Sequence, residues 1–354
     1  MKNYYFIAAA ALLTLAACSK NEVRPLSSDP QEITFQTVVG GVKTKAPTTS
    51  HTEFNGSHKF YSYAYFLQEG AWDSADLEND AKSYISSSPI EKNSEGIWKN
   101  KNTTYYWPKQ GTLTFFAWTD DTDDPKIVDN AGTLTCPAKE GIKVENYDVK
   151  DNKNKDLMVA EVKKDQKSNA NPGQYYTVGV PTLFHHVLSN LAFKVKTDKA
   201  YTDNEKFALK SITLKSVMTK GNYTQGSVTA NSPENVWSSW SEAEEMPLVK
   251  NTDAVEFTND GKDNDIAITD YSIVLPQKFN TTTPVIEIVY NVTTNYSGTP
   301  VVETVTVEKP LSDIYKDNWV AGKKYILTLT IGLDEILWDP AVEDWTEQGY
   351  DITL

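Results

Sequence analysis

Across this chain Val, Ile, Thr, Tyr and Phe recur at alternate positions in short runs, and clusters of Asn, Asp, Gly and Pro break the runs apart. A period of two sets one side of a strand against a core and the other towards solvent. The first such run is 33–39, where Ile33, Phe35, Thr37 and Val39 share one face before Gly40-Gly41 stops the strand. Further runs cover 59–67, 103–107, 112–118, 212–217, 273–275, 285–292, 301–307 and 324–333. No segment of helix length, roughly 12 residues, carries a helical period. With 19 Tyr, 12 Phe and 9 Trp, the composition agrees with the pattern. The fold class is all-β, with several short strands per domain, as in sandwiches.

The chain divides unevenly along its length. Lys2 and the small, apolar stretch 4–17 have the form of a secretory signal. It ends in Leu15-Ala16-Ala17-Cys18, which resembles a bacterial lipobox and would make Cys18 the acylated first residue of the mature chain. Acylation at Cys18 implies an anchor in the outer membrane. Residues 18–30 are polar, contain Pro25 and Pro30, and read as a tether. The Lys-, Asp- and Asn-rich stretch 139–174 reads as loop around a short strand at 157–159, and apolar character returns after it. The expected domains are therefore an N-terminal sandwich, 31–186, and a C-terminal sandwich, 187–354.

Chemistry is sparse in the sequence. Forty-eight acidic against 34 basic residues give a net charge of −14, which disfavours nucleic acid as a partner. No nucleophile elbow, zinc-protease helix or phosphate-binding glycine loop occurs, so the reading is no enzyme, no catalytic residue and no cofactor. Two cysteines and four histidines leave no structural zinc site and no metal site is expected. His185-His186 are neighbours on one strand and point to opposite faces, which suits core or interface histidines. Asp120-Asp121-Thr122-Asp123-Asp124 and Asp263-Asn264-Asp265 could offer carboxylates to calcium but lack a calcium loop's glycine and terminal glutamate, and read as solvated acidic turns. Cys136 reads as a small buried hydrophobe. Trp237 and Trp240 lie in a Ser/Asn-rich stretch and are the candidates for a sugar-stacking platform.

Six strings in order carry a resemblance. They are Tyr105-Tyr106-Trp107-Pro108 with Leu113 to Trp118; Asp156 to Ala160; Leu183 to Val195; Leu275-Pro276-Gln277; Trp319 to Tyr325; and Trp338 to Trp345. Together, behind a lipobox, they resemble the fimbrillin family of Bacteroidales, the subunits of type V pili. The resemblance implies two tandem transthyretin-like β-sandwich domains and a surface-exposed lipoprotein precursor that enters a fimbrium once processed. It also implies partners in other pilus subunits, joined by β-strand addition after a trypsin-like protease removes the first strand. The matching processing string is Thr44-Lys45-Ala46, with lysine where the family usually has arginine. Ile33, Phe35, Thr37 and Val39 are then the removable strand, and Ile336, Trp338, Val342, Trp345 and Tyr350 the donor or C-terminal contact region. Surface glycans or proteins are the further expected partners of an adhesive subunit. The alternative is a surface lipoprotein of the same fold that binds glycans and never polymerises.

Overall fold

A computed structural model describes residues 30–40, 51–167, 179–225, 237–268, 271–279, 283–315, 318–333 and 336–345. Cys18, Lys45, Ala46 and Tyr350 lie outside these residues. In chain order the strands are β1 (Phe35–Gly40), β2 (His51–Glu53), β3 (Phe60–Leu67), β4 (Lys82–Lys92), β5 (Trp98–Asn100), β6 (Thr112–Thr119), β7 (Thr133–Thr135), β8 (Lys143–Asp148), β9 (Met158–Ala160) and β10 (Lys163–Gln166). They continue as β11 (Val180–His186), β12 (Ser189–Thr197), β13 (Glu205–Thr224), β14 (Trp237–Phe257), β15 (Asn264–Ile266), β16 (Ile273–Val274), β17 (Val285–Thr294), β18 (Val301–Pro310), β19 (Lys323–Ile331) and β20 (Ile336–Asp344). Among the described residues the helical turns are Trp72–Ser74 and α1 (Leu311–Ile314). The protein is all-β, as the alternation requires.

The first sheet runs β10-β6-β3-β4-β5-β1-β11-β9, and a further pairing of β6 with β9 closes it on itself. Closure leaves fewer exposed edges than an open sheet would carry, with β10 paired to β6 alone and β2 to β1 alone. Inside lie Phe35, Phe54, Phe60, Trp98, Phe115 and Phe184, with Ile33, Ile85, Ile90 and Leu113. Ser62 and Ala64, both fully buried on β3, are the small residues that leave space for these rings.

The second half is a sandwich. One layer is β18-β17-β13-β8-β7 with β14 on β13; the other is β15-β12-β19-β20 with β16 on β12. Phe207, Leu209 and Ile212 from β13 meet Leu191, Phe193 and Leu327 from the facing layer in one core. The hairpin of β7 and β8, drawn from the N-terminal half of the chain, extends the β13 layer through pairs such as Tyr147 with Gly221.

Strand β6 is the shared wall. Every one of its residues is buried. Leu113, Phe115 and Ala117 enter the first core, while Phe116 and Trp118 enter the second. A strand covered on both faces reads as a continuous apolar run, and Thr-Leu-Thr-Phe-Phe-Ala-Trp-Thr is one.

Three sequence expectations need correction. Residues 103–107 form no strand; Tyr106 makes an isolated bridge to Glu32, and Ile33 N–H donates to Tyr105 O at 2.8 Å. Within 139–174, read as loop around one short strand, β8 and β10 are also strands. Lys143–Asp148 is polar because one of its faces stays wet, and pairing with β13 rather than composition makes it a strand. The acid-rich β14 escaped notice for the same reason.

Candidate functional site

The first and last strands occupy opposite kinds of position. β1 runs parallel to β11 through five register pairs, from Phe35 with Val180 to Val39 with Phe184. On its other side it meets β5 at Phe35 with Trp98 alone, and β2 at residues 38–40. Val180 N–H donates to Thr34 O at 2.7 Å. Gly179 adopts φ +109°, and a Cβ there would stand 2.7 Å from the Phe35 backbone, so only glycine lets the two strands approach this closely.

Ile33, Phe35 and Thr37 all point into the first core and are 3%, 4% and 6% exposed. The Phe35 ring packs edge-on against Phe60 at 5.5 Å and Phe115 at 5.9 Å. β1 is thus a wall of the closed sheet and a supplier of its core. Its third inward position is poorly satisfied, because Thr37 Oγ1 is buried without a hydrogen-bond partner. Replacing Thr37 by valine keeps the shape and removes the orphan hydroxyl, which should stabilise the protein by about 1 kcal/mol. The urea midpoint would read the gain; an unchanged or lower midpoint would contradict it.

β20 is an edge. It pairs antiparallel with β19 from Ile331 with Ile336 to Lys323 with Asp344. Ile336 and Trp338 are half-buried, whereas Pro340 and Val342 are exposed and line an open cleft of about 410 Å³ with Ile314, Tyr315 and Tyr325. Pro340 removes no ladder bond that an edge position needs. Lys323–Asp344 and Lys324–Glu343 ion pairs tie the end of the hairpin.

Just beyond β20 the chain is clasped. Trp345 is buried and stacks on His186 with ring centroids 4.1 Å apart and planes at 7°. His186 Nδ1 lies 2.6 Å from Asp156 Oδ2, and Trp345 N–H donates to Gly322 O at 3.0 Å. His186 ends β11, the strand that carries β1, so Trp345 is fastened beside the junction of the two halves.

His185 faces the other way, as its position on the strand requires. Its Nε2 lies 3.1 Å from Glu161 Oε1, and Lys163 Nζ donates to Glu161 Oε2 at 2.9 Å. The hydrogen bond from His185, aided by Lys163, holds the Glu161 carboxyl down to about 2. That is below the value of about 4.3 expected in the unfolded chain. Its contribution is complete above the unfolded value and is lost as pH falls through the folded one. In denaturant titrations Glu161→Gln should flatten part of the stability loss between about pH 5 and about pH 2; an identical acid slope would contradict the assignment.

Other sequence candidates fall elsewhere. Trp237 is 2% exposed and donates Nε1–H to Val187 O at 2.6 Å, and Trp240 donates to Pro276 O at 2.8 Å. Trp237 is a core residue, which withdraws it as a sugar-stacking candidate; Trp240 is half-buried with its indole N–H engaged. Asp120 is not a solvated turn residue. It is buried, accepts from Lys155 Nζ at 2.6 Å and from Lys126 N–H at 3.0 Å, and orders the loop after β6. Cys136 is buried, and burial pushes its thiol up. Among the described residues no group of three or more His, Cys, Asp or Glu could hold a metal ion. No helix among them is long and apolar enough to cross a membrane.

The fold and these two strands define an all-β protein whose first strand completes a core and whose last strand lies at a half-exposed edge. A family model described as fimbrillin-like matches residues 67–345. The chain belongs to the fimbrillin-like family. The fimbrium subunit Fim1C of Phocaeicola vulgatus is 26% identical over 201 residues, covering 53% of this chain and 50% of that protein. The chain thus spans about half the length of that relative. The crystal structure of a fimbrial protein from Bacteroides vulgatus ATCC 8482 has a TM-score of 0.61 at 19% identity, covering 89% of this chain and 100% of that one. This second likeness shows the fold.

Proposed function

We propose that this chain is a structural or adhesive subunit of a cell-surface fimbrium, made as a lipoprotein acylated at Cys18 and assembled by strand exchange. Residues 31–186 and 187–354 are read as the subunit's two transthyretin-like domains, with the β7–β8 hairpin of the first lent to the sheet of the second. Cleavage between Lys45 and Ala46 frees β1 together with the lipid. Ile33, Phe35, Thr37 and Val39 then leave a trough between β5 and β11, and the C-terminal region of a neighbour, containing Ile336, Trp338, Val342, Trp345 and Tyr350, fills it. Family membership and the relative's role as a fimbrium subunit support the assignment to a fimbrium.

The observation that carries the exchange is the contrast between the two strands. The described inward side chains of β1 are almost wholly buried, whereas β20 keeps Pro340 and Val342 exposed in its own chain. An apolar side chain gains about 1.5–3 kcal/mol on full burial, so a strand poorly buried at home gains by entering a vacated core position. Such an insertion also restores the backbone pairs that a missing strand leaves open. The glycan-binding, non-polymerising alternative loses Trp237 to the core, while Trp240 is half-buried.

The N-terminus and intact mass of the protein from native membranes and from sheared surface filaments test this reading. Filament material starting at Ala46 without lipid is expected. Protein found only in membranes and starting at acylated Cys18 would reject the polymerising subunit.

A further inference from the structure

The edges of the second half are guarded unequally. A strand with an unpaired side offers its backbone N–H and C=O groups to any other extended chain, and folded proteins blunt such edges with prolines, bulges, charges or short length. β7 and β15 are three residues long. β14 is long, but its pairing with β13 shifts register at four places, Pro247 interrupts it, and Glu242, Glu244 and Glu245 line it. β20 carries Pro340 near its middle. β18 has none of these guards. It runs ten residues, pairs with β17 from Thr294 with Val301 to Val285 with Pro310 without a register shift, and meets proline only at its last position. Among the described residues no strand pairs with its other side. Val301 and Val302 there are 62% and 58% exposed.

We propose that β18 is the strand by which two copies of this chain join side by side, antiparallel, about a two-fold axis passing beside Thr306. A contact of that symmetry is self-complementary, so every pair away from the axis is made twice. Thr306 stands opposite Thr306 of the second copy, Val305 opposite Val307, and Glu303 opposite Lys309. The β18-β17-β13 layer then continues from one copy into the other. No strand leaves its own chain in this contact, and it uses neither β1 nor the free side of β20.

Charge selects the occupant and the register. Glu303, Val305, Val307 and Lys309 share one face of β18. Among the described residues neither Glu303 nor Lys309 has an oppositely charged partner; Lys309 Nζ lies 5.4 Å from the centre of the Trp338 ring. Glu308, on the other face, already accepts from Lys215 Nζ at 2.6 Å in its own chain. An antiparallel copy sets lysine opposite glutamate at both ends of the series and valine opposite valine between them. Moving the axis to Val305 would set Lys309 opposite Val301 and Glu303 opposite Val307. Moving it to Val307 would set Lys309 opposite Val305. Neither register forms an ion pair, and a slip of one residue would set Glu303 against Glu308. An unrelated extended segment could use the backbone edge, but only a second copy also uses the placement of these two charges.

Cysteine cross-linking in the full-length chain, expressed in the cells that export it, tests the contact. Thr304 and Thr306 are both exposed on one face of β18, so cysteine replaces either without disturbing a core. Thr306→Cys faces its own copy across strands about 5 Å apart, within disulfide range. Thr304→Cys stands about 14 Å from its copy, four residues along the strands, and is out of range. Thr306→Cys should therefore give covalent dimers roughly tenfold more abundantly than Thr304→Cys. The unsubstituted chain, whose Cys136 is buried, should give none. Equal yields from the two variants, or no dimer from Thr306→Cys, would overturn the proposal. A cross-linked product whose mass is not twice that of the chain would overturn the second copy as occupant. Charge exchange tests the register, with yields normalised to the protein present at the cell surface. In the Thr306→Cys chain, Glu303→Lys should lower the dimer yield about tenfold. Adding Lys309→Glu should restore it, because opposite charges then face each other again. A yield indifferent to Glu303→Lys would overturn the register, and so would a loss that Lys309→Glu does not restore.

Discussion

Replacing Phe35 by alanine is expected to destabilise the full-length chain by about 3–5 kcal/mol, the range for deleting a buried phenyl ring. The ring is 4% exposed and has edge-on contacts to Phe60 and Phe115. Its neighbours cannot collapse into the gap easily, because β3 and β6 are held in a closed sheet. The loss should also reach beyond the first core. β6 lines that core with Phe115 and the second core with Phe116 and Trp118, so loosening one face disturbs the other. Denaturant unfolding followed by tryptophan fluorescence would measure both effects. A loss below about 1 kcal/mol would mean that β1 is not part of the native core.

The second large effect is expected at Trp345. Truncation to alanine should cost about 3 kcal/mol, felt locally because the residue lies at a strand end. The ion pairs of β20 are partly exposed and each contributes about 0–1 kcal/mol, and Lys309 sits 5.4 Å from the Trp338 ring. The stack on His186 is therefore the most deeply buried anchor of the last strand. Amide exchange across β20 should accelerate about a hundredfold in Trp345→Ala, while β3 and β6 keep their protection. Unchanged exchange in β20 would mean that pairing with β19 alone holds it.

Much of the fold is legible in the sequence. The alternation in 59–67, 285–292 and 324–333 became β3, β17 and β19, and the apolar run 112–118 became β6, with small shifts at their ends. These strands have at least one face in a core, and burial imposes the period that a reader can count. Strands β4, β8 and β14 were not read, because serines, acids and amides on their wet faces dilute the pattern and their partners supply the missing order. The histidine pair was legible for a geometric reason: neighbours on a strand diverge, and His185 and His186 meet Glu161 and Asp156 on opposite sides. Trp237 and Asp120 lie deeper than their surroundings in the sequence suggest, because composition around a residue does not report its depth.

The sequence by itself determined the class of fold, the face that β1 presents and the family, since each depends on residue types at local spacing. Only the tertiary structure decided that β1 closes a sheet while β20 remains an edge. Both carry nearly the same side chains, and what separates them is which strands pair beside them and how deeply those side chains are buried. Pairing across more than a hundred residues, as between Val39 and Phe184, is a property of the assembled chain. No local pattern encodes it, because the hydrogen bonds of a strand are made by backbone groups that every residue shares.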